Sequence, residues 1–346
     1  MKSIRLQVGI IIILITLPGL LSVLFYNFTF HQSQKIRTYV EREFFLSEWA
    51  RSFNTFVNVS LLGHNQIGPV HLGIENWLFI NYPHEESFKQ FVGNINEKGL
   101  KSWLSYTHKN CPNPYDESIP YIFGLIPNKE YLYPEKTSYK WKQYFFKNEP
   151  VLNLVSESAS KNCNKNFVDV FSFLKEEKLN LKNENLYHAT DSHWNAFGAW
   201  KVFNLIMNKI GKHPHIIDFE KQNWPNGLDA WELIKPSAPF LKKYFAEKNA
   251  MEIMNKDKLD HCYKFTPFDN FHVYINERVI KPETVLLIGD SFRTEIAKYF
   301  ACTYKTTIVI KRSAIKEYFN KVITQYGKPD VIVELFIQRY MDLAYL

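Results

Sequence analysis

The sequence predicts an α/β fold in which helices cover both faces of a central, mostly parallel sheet. Apolar, β-branched runs of strand length recur at 285–289 (VLLIG), 306–310 (TTIVI) and 331–337 (VIVELFI), with helix-like stretches between them. Strands that read as continuous apolar runs, rather than alternating ones, are those buried on both faces, as in parallel sheets. The third observation is length: 346 residues, 46% of them hydrophobic, suffice for one large domain with a sizeable core.

Taken in order, Lys2 and Arg5 precede an uncharged stretch from Val8 to Tyr26. Its nineteen residues would rise roughly 28 Å as a helix, about the hydrocarbon thickness of a bilayer. A cleaved signal peptide has a shorter apolar region and a small-x-small cleavage site, and LSVLFYNFTF offers none. The expectation is an uncleaved signal anchor within residues 1–30, with the N-terminus cytoplasmic and the remainder exported. Residues 31–69, polar with periodic aromatics, read as a helical linker, and 70–346 as the folded domain.

Within that domain, GIENWLFINY reads as a turn and a short strand, and SFKQFVGNINEKGLKSWLSYTHKN as a helix. IPYIFGLIPNKEYLYPE reads as a buried strand followed by a Pro-punctuated loop. VLNLVSESASKN, VDVFSFLKEE and AFGAWKVFNLIMNKIG carry helical texture, the last preceded by a loop with LYHATDSHWN. Residues 212–280 show no sustained period and read as a loop-rich insertion with a few short strands such as NFHVYINERVI. ETVLLIGDSF then opens the alternating strands and helices of the C-terminal part.

Composition narrows the function classes. The formal charge is +7, but no Lys/Arg run is clustered enough for a nucleic-acid stripe, so no nucleic acid is expected as partner. Aromatics reach 16%; most will pack inside, and an exposed remainder would suit sugar rings. Cys111, Cys163, Cys262 and Cys302 permit two disulfides in an oxidising compartment, with three pairings open. None is spaced C-x-x-C, and neither a metal nor a cofactor is expected.

Two motifs carry chemistry. VLLIGDSF delivers Ser291 to the carboxyl edge of a buried strand, where α/β proteins place ligands, at the start of a helix whose N–H groups can stabilise an oxyanion. Gly289 would permit a tight turn there. Asp and Ser are also favoured helix caps, so GDS alone leaves a purely structural role open. A serine needs a base, and the base needs a partner that sets its tautomer. In TDSHWNAFG, Asp191 and His193 stand two apart, so an extended loop turns both side chains the same way. The carboxylate would hold Nδ1–H while Nε2 faces outward, Trp194 would wall the imidazole, and Gly198 would allow close packing.

Together, DSHWNAFG and LLIGDSF resemble the D-T-H-W and G-D-S-F signatures of the alginate O-acetyltransferase family (AlgX/AlgJ-type). GIENWLF, GLIPNKEYLYPE and PDVIVELFIQRY are similar to further blocks of that family in the same order, and the likeness spans roughly residues 70 to 345. The chain departs at Ser192 and Asn195, where Thr and Ser or Thr are usual, and at Gln338, where Glu often precedes Arg. The resemblance implies an SGNH-hydrolase-like three-layer domain with permuted motif order, the His block before the Ser block. It implies a triad of Ser291 as nucleophile, His193 as base and Asp191 as its orienting acid. The Ser291 N–H would serve as oxyanion donor; Arg339 and Tyr340, at the end of the last strand, are candidates either to face the substrate or to form a structural pair. It further implies acetyl transfer to a polysaccharide acceptor, a multi-spanning membrane acyltransferase as acetyl supplier, and a single-pass inner-membrane protein with its catalytic domain on the periplasmic side. Two rivals stand beside it: a carbohydrate acetyl esterase with the same triad, and a non-catalytic glycan-binding component of an export complex.

Overall fold

The computed structural model describes residues 65–75, 77–81, 97–109, 111–138, 151–181, 184–212, 219–223, 251–255 and 259–343. The expected signal anchor and the linker up to residue 64 lie outside them. Among the described residues no helix is long and apolar enough to cross a membrane. All of these residues but Asn65 fall in one compact unit, 66–231 with 248–346.

A small antiparallel sheet comes first: β1 (Gln66–Ile67), β2 (Val70–Leu72) and β3 (Leu78–Ile80). β1 falls in the last residues of the expected helical linker, which here form strand and turn instead. Helix α1 (Glu97–His108) leads to β4 (Tyr121–Ile126), then the short α2 (Lys129–Leu132). The stretch expected to be a loop after β4 therefore holds a helical turn. Next come α3 (Val151–Asn162), β5 (Phe167–Val168), α4 (Val170–Asn180) and α5 (Ala196–Ile210). An antiparallel pair follows, β6 (Phe219–Asn223) with β7 (Met251–Asn255), and then a hairpin of β8 (Lys264–Pro267) and β9 (Phe271–Ile275). The chain closes with β10 (Thr284–Gly289), α6 (Arg293–Thr303), β11 (Thr306–Lys311), α7 (Ile315–Tyr326) and β12 (Val331–Ile337).

The central sheet has seven strands in the order β5-β4-β12-β10-β11-β9-β8. The first five run parallel, and β9 and β8 add an antiparallel edge. The fold is thus mixed α/β with a mostly parallel central sheet. β9 and β8 lie within the stretch expected to be a loop-rich insertion. β8 is exposed along its whole length, so no apolar pattern marks it as part of a sheet. By contrast every residue of β4 and β12 is buried, as strands covered on both faces must be.

From β10 the chain steps outward through α6 to β11, then back across β10 through α7 to β12. Right-handed crossovers in opposite directions place those two helices on opposite faces. α5 packs on α6, with Phe203 against Tyr299 and Phe300. On the face of Phe336, Trp103 of α1 stacks at 4.8 Å. The charge that β12 buries there, Glu334, is fully answered: Arg312 Nε donates to it at 2.9 Å, and the Tyr115 and Tyr121 hydroxyls donate at 2.8 Å each. A carboxylate buried without such partners would cost several kcal/mol or more.

α1 and α3 pack side by side, and their C-terminal ends are joined by a disulfide between Cys111 and Cys163. Of the three pairings left open by the sequence, only this bridge forms; Cys262 and Cys302 remain thiols. The bridge closes a separation of 52 residues. Restricting the unfolded chain over a loop of that length stabilises by about 2–4 kcal/mol. Cys163→Ala, or reduction of the wild-type protein, should therefore lower the thermal midpoint clearly, while adding reductant to the Cys163→Ala variant should produce no further shift; a calorimetric scan of each checks this.

Candidate active site

The carboxyl ends of β4, β12 and β10 meet at one edge of the sheet, because these strands pair in parallel. β10 ends at Gly289, and Asp290 and Ser291 follow before α6 begins at Arg293. Gly289 does not adopt a left-handed conformation; its role is close approach. A Cβ there would sit 2.6 Å from the Leu335 carbonyl oxygen of the adjacent strand. The turn is held by Asp290 instead. One carboxylate oxygen accepts the Phe292 N–H at 3.0 Å, and the other accepts the Ile337 N–H at 2.6 Å, where β12 ends. Asp290 is buried, so its side chain braces the turn and leaves the serine exposed.

The second motif lies in the loop before α5. Asn195 caps that helix, its side chain accepting the Gly198 N–H at 2.9 Å. Gly198 is required by crowding, since a Cβ would fall 2.1 Å from the Leu186 carbonyl oxygen. A bridge between Tyr187 and Trp194 folds the loop back on itself, and the His188 N–H donates to the His193 carbonyl at 3.2 Å. Asp191 Oδ1 accepts the His193 backbone N–H at 2.8 Å and lies 2.5 Å from His193 Nδ1.

The two motifs meet. His193 Nε2 lies 2.7 Å from Ser291 Oγ across 98 residues of sequence. The aspartate side chain is 9% exposed and the histidine side chain 25% exposed, and Ser291 opens to solvent. With Nδ1–H donated to the carboxylate, Nε2 is left as the acceptor for the serine hydroxyl. That arrangement can withdraw the hydroxyl proton as Oγ attacks a carbonyl carbon, and a sheltered carboxylate can stabilise the resulting imidazolium.

The ring beside the imidazole is Phe292, not Trp194: the centroids of His193 and Phe292 lie 4.6 Å apart. Trp194 packs edge-on against Phe292 from another side and donates its Nε1–H to the Phe292 carbonyl at 3.1 Å. The tryptophan thus ties the histidine motif to the serine motif, and the phenylalanine walls the imidazole. Nothing in GDSF marks Phe292 for this role, because the partner lies a hundred residues away in the chain. Arg339 is buried, with its guanidinium 5.9 Å from the Phe292 ring and 5.7 Å from that of Tyr340. Among the described residues no group of His, Cys, Asp and Glu is arranged to hold a metal ion.

The fold and site define an α/β protein with a hydrogen-bonded serine, histidine and aspartate at the carboxyl edge of its sheet. No protein-family model matches the chain, and no curated protein matches it. Solved structures similar to it include Bacillus cereus PatB1 with a sulfonyl adduct, at 15% identity and a TM-score of 0.49, covering 79% of this chain and 97% of that one. The O-acetyltransferase domain of Pseudomonas putida AlgJ is also similar, at 15% identity and a TM-score of 0.46, with 80% and 92% covered. Pseudomonas aeruginosa AlgX follows at 14% identity and 0.45, with 79% of this chain and 62% of that one covered. Likenesses this distant carry no argument about activity, which rests on the chain's own residues.

The bracing role of Asp290 is testable. Asp290→Asn puts an amide NH2 opposite one of two main-chain N–H donors, leaving a buried donor without an acceptor, at a cost of about 1–3 kcal/mol. A urea titration should show that loss, and labelling of Ser291 by an activated ester should slow as its turn relaxes.

Proposed function

We propose that this chain is an O-acetyltransferase of the cell envelope, moving an acetyl group onto a hydroxyl of an exported polysaccharide through an acyl-serine. The observation that carries the reading is the contact of 2.7 Å between His193 Nε2 and an exposed Ser291 Oγ, with Asp191 Oδ1 on the far side of the ring. The kind of acyl group and acceptor come from the resemblance of DSHWNAFG and LLIGDSF to the alginate O-acetyltransferase family.

In this mechanism Ser291 Oγ attacks the acetyl carbonyl of a donor ester as His193 Nε2 takes the hydroxyl proton. Asp191 holds the ring and balances its charge. The oxyanion forms beside the Ser291 N–H, and one such donor is worth about 3–4 kcal/mol in the transition state. Collapse expels the donor's alkoxide, which takes the proton from His193. A sugar hydroxyl then gives its proton to His193 and attacks the acyl-serine; Ser291 leaves and recovers the proton.

Further support comes from the bridge between Cys111 and Cys163, since structural disulfides persist in oxidising, extracytoplasmic compartments. Export through a signal anchor at residues 1–30 would hold the domain at the membrane. Acetyl groups would then have to be supplied across the bilayer by a multi-spanning acyltransferase.

The test is turnover of an activated acetyl ester by the purified domain, with and without oligosaccharide. Wild type should consume the ester faster when sugar is present and yield acetylated sugar. Ser291→Ala should fold normally and lose about 10³-fold or more in rate. Ester hydrolysis with no acetylated sugar would make the protein an esterase, and full activity of Ser291→Ala would remove the nucleophile from the scheme.

A further inference from the structure

Two sequence blocks with no assigned role, GIENWLF and GLIPNKEYLYPE, meet at one buried side chain, Lys129. It follows β4 in the segment PNK, and the residue is only 3% exposed. Its ammonium donates to three main-chain carbonyls of the loop that carries the acid and base: His188 at 3.1 Å, Ala189 at 3.0 Å and Asp191 at 2.8 Å. Beneath it lie the rings of Trp77 and Phe79 from the GIENWLF block, at 5.2 and 4.9 Å.

We propose that Lys129 is the positioning residue of the site: its ammonium sets the loop bearing Asp191 and His193 at the height where the imidazole meets Ser291. The inference rests on the acyl-transfer reading above and adds a residue to it. Burying an ammonium is costly unless every proton finds an acceptor. Here a tetrahedral head with three donors is matched by three carbonyls, and the aromatic faces attract its charge. No neutral side chain could substitute, because an Asn or Gln amide offers only two N–H donors.

The position of Lys129 is in turn fixed relative to the nucleophile. The Asn128 N–H donates to Gln338 Oε1 at 3.3 Å, just past the end of β12. The neighbouring Ile337 N–H donates to Asp290, which adjoins Ser291. A closed circuit of main-chain and buried polar contacts therefore runs from the serine through β12 and Lys129 to the histidine, and is completed by the bond between Nε2 and Oγ. The small sheet adds a second tie, as the Leu78 N–H donates to the Ala189 carbonyl at 2.8 Å.

Lys129→Met keeps the length and apolar stem and removes the donors. Two readouts separate positioning from general stability. The first is the rate on an activated acetyl ester: turnover should fall about 10²-fold, the effect of a displacement near 1 Å, with KM little changed. The second is native-state hydrogen exchange. The His188 and His193 amides, bonded within the loop, should lose protection, while the Ile332 amide, bonded to Pro120 beside β4, keeps it. Equal loss at all three amides, or unchanged turnover and protection, would overturn the proposal. If wild type and Ser291→Ala consume the ester alike, the acyl-transfer reading fails instead, and the exchange pattern still decides whether Lys129 holds the loop.

Discussion

Parallel pairing of β4, β12 and β10 is the constraint from which the site follows. It brings the residues after each strand to one edge, so that Lys129, Gln338 and Ser291 become neighbours although the chain separates them widely. None of these residues is near another in sequence, and none would meet in an antiparallel arrangement of the same strands. The register matters as much as the direction. Gly289 lies opposite Leu335, and a single Cβ there would push the two strand ends apart. The short approach keeps Asp290 within reach of the Ile337 N–H, and that bond sets the turn on which the serine stands.

Much of this edge consists of buried polar groups answered by main chain. Asp290 accepts two N–H groups, Lys129 donates to three carbonyls, and Asn195 both caps α5 and donates to the Asn185 carbonyl at 2.6 Å. Side chains that bond main chain fix the path of a loop rather than the rotamer of another side chain. Asp191 and His193 are therefore held by the backbone beneath them. Chemistry that depends on a few tenths of an ångström needs that kind of support.

What the sequence revealed was what depends on local pattern. VLLIG, TTIVI and VIVELFI read as buried strands because apolar residues dominate each, Glu334 being the one charge among them, and AFGAWKVFNLIMNKIG read as a helix from its apolar period. Asp191, His193 and Ser291 stood out because their spacing and flanks are chemically specific. Of the antiparallel edge, β9 was legible as a short strand in NFHVYINERVI, whereas β8, KFTP, stayed hidden because all four of its residues are solvent-exposed. Trp194 was expected to wall the imidazole because it is the adjacent residue; Phe292 does so because the fold brings a distant turn against it. Lys129 was no more than part of a block, since its partners are carbonyl oxygens, which no residue type advertises. The pairing of Cys111 with Cys163 depended likewise on α1 and α3 lying side by side.

An exposed serine raises a competition that the triad alone does not resolve. Water and a sugar hydroxyl are equivalent attackers for an acyl-serine, and His193 would serve as base for either. Water is present at far higher concentration than any glycan. Transfer therefore prevails only where binding places the acceptor hydroxyl against the acyl carbon, which raises its effective concentration by orders of magnitude. Under the proposed mechanism the triad geometry would account for formation of an acyl-serine, and the choice between transferase and esterase would lie in the surface that holds the acceptor. Because the histidine is walled by Phe292 on one side and only a quarter exposed, an acceptor in the proposed reaction would enter along the face that leaves Ser291 open. Residues bordering that opening, rather than the three that share the proton, would decide which alcohol receives the acyl group.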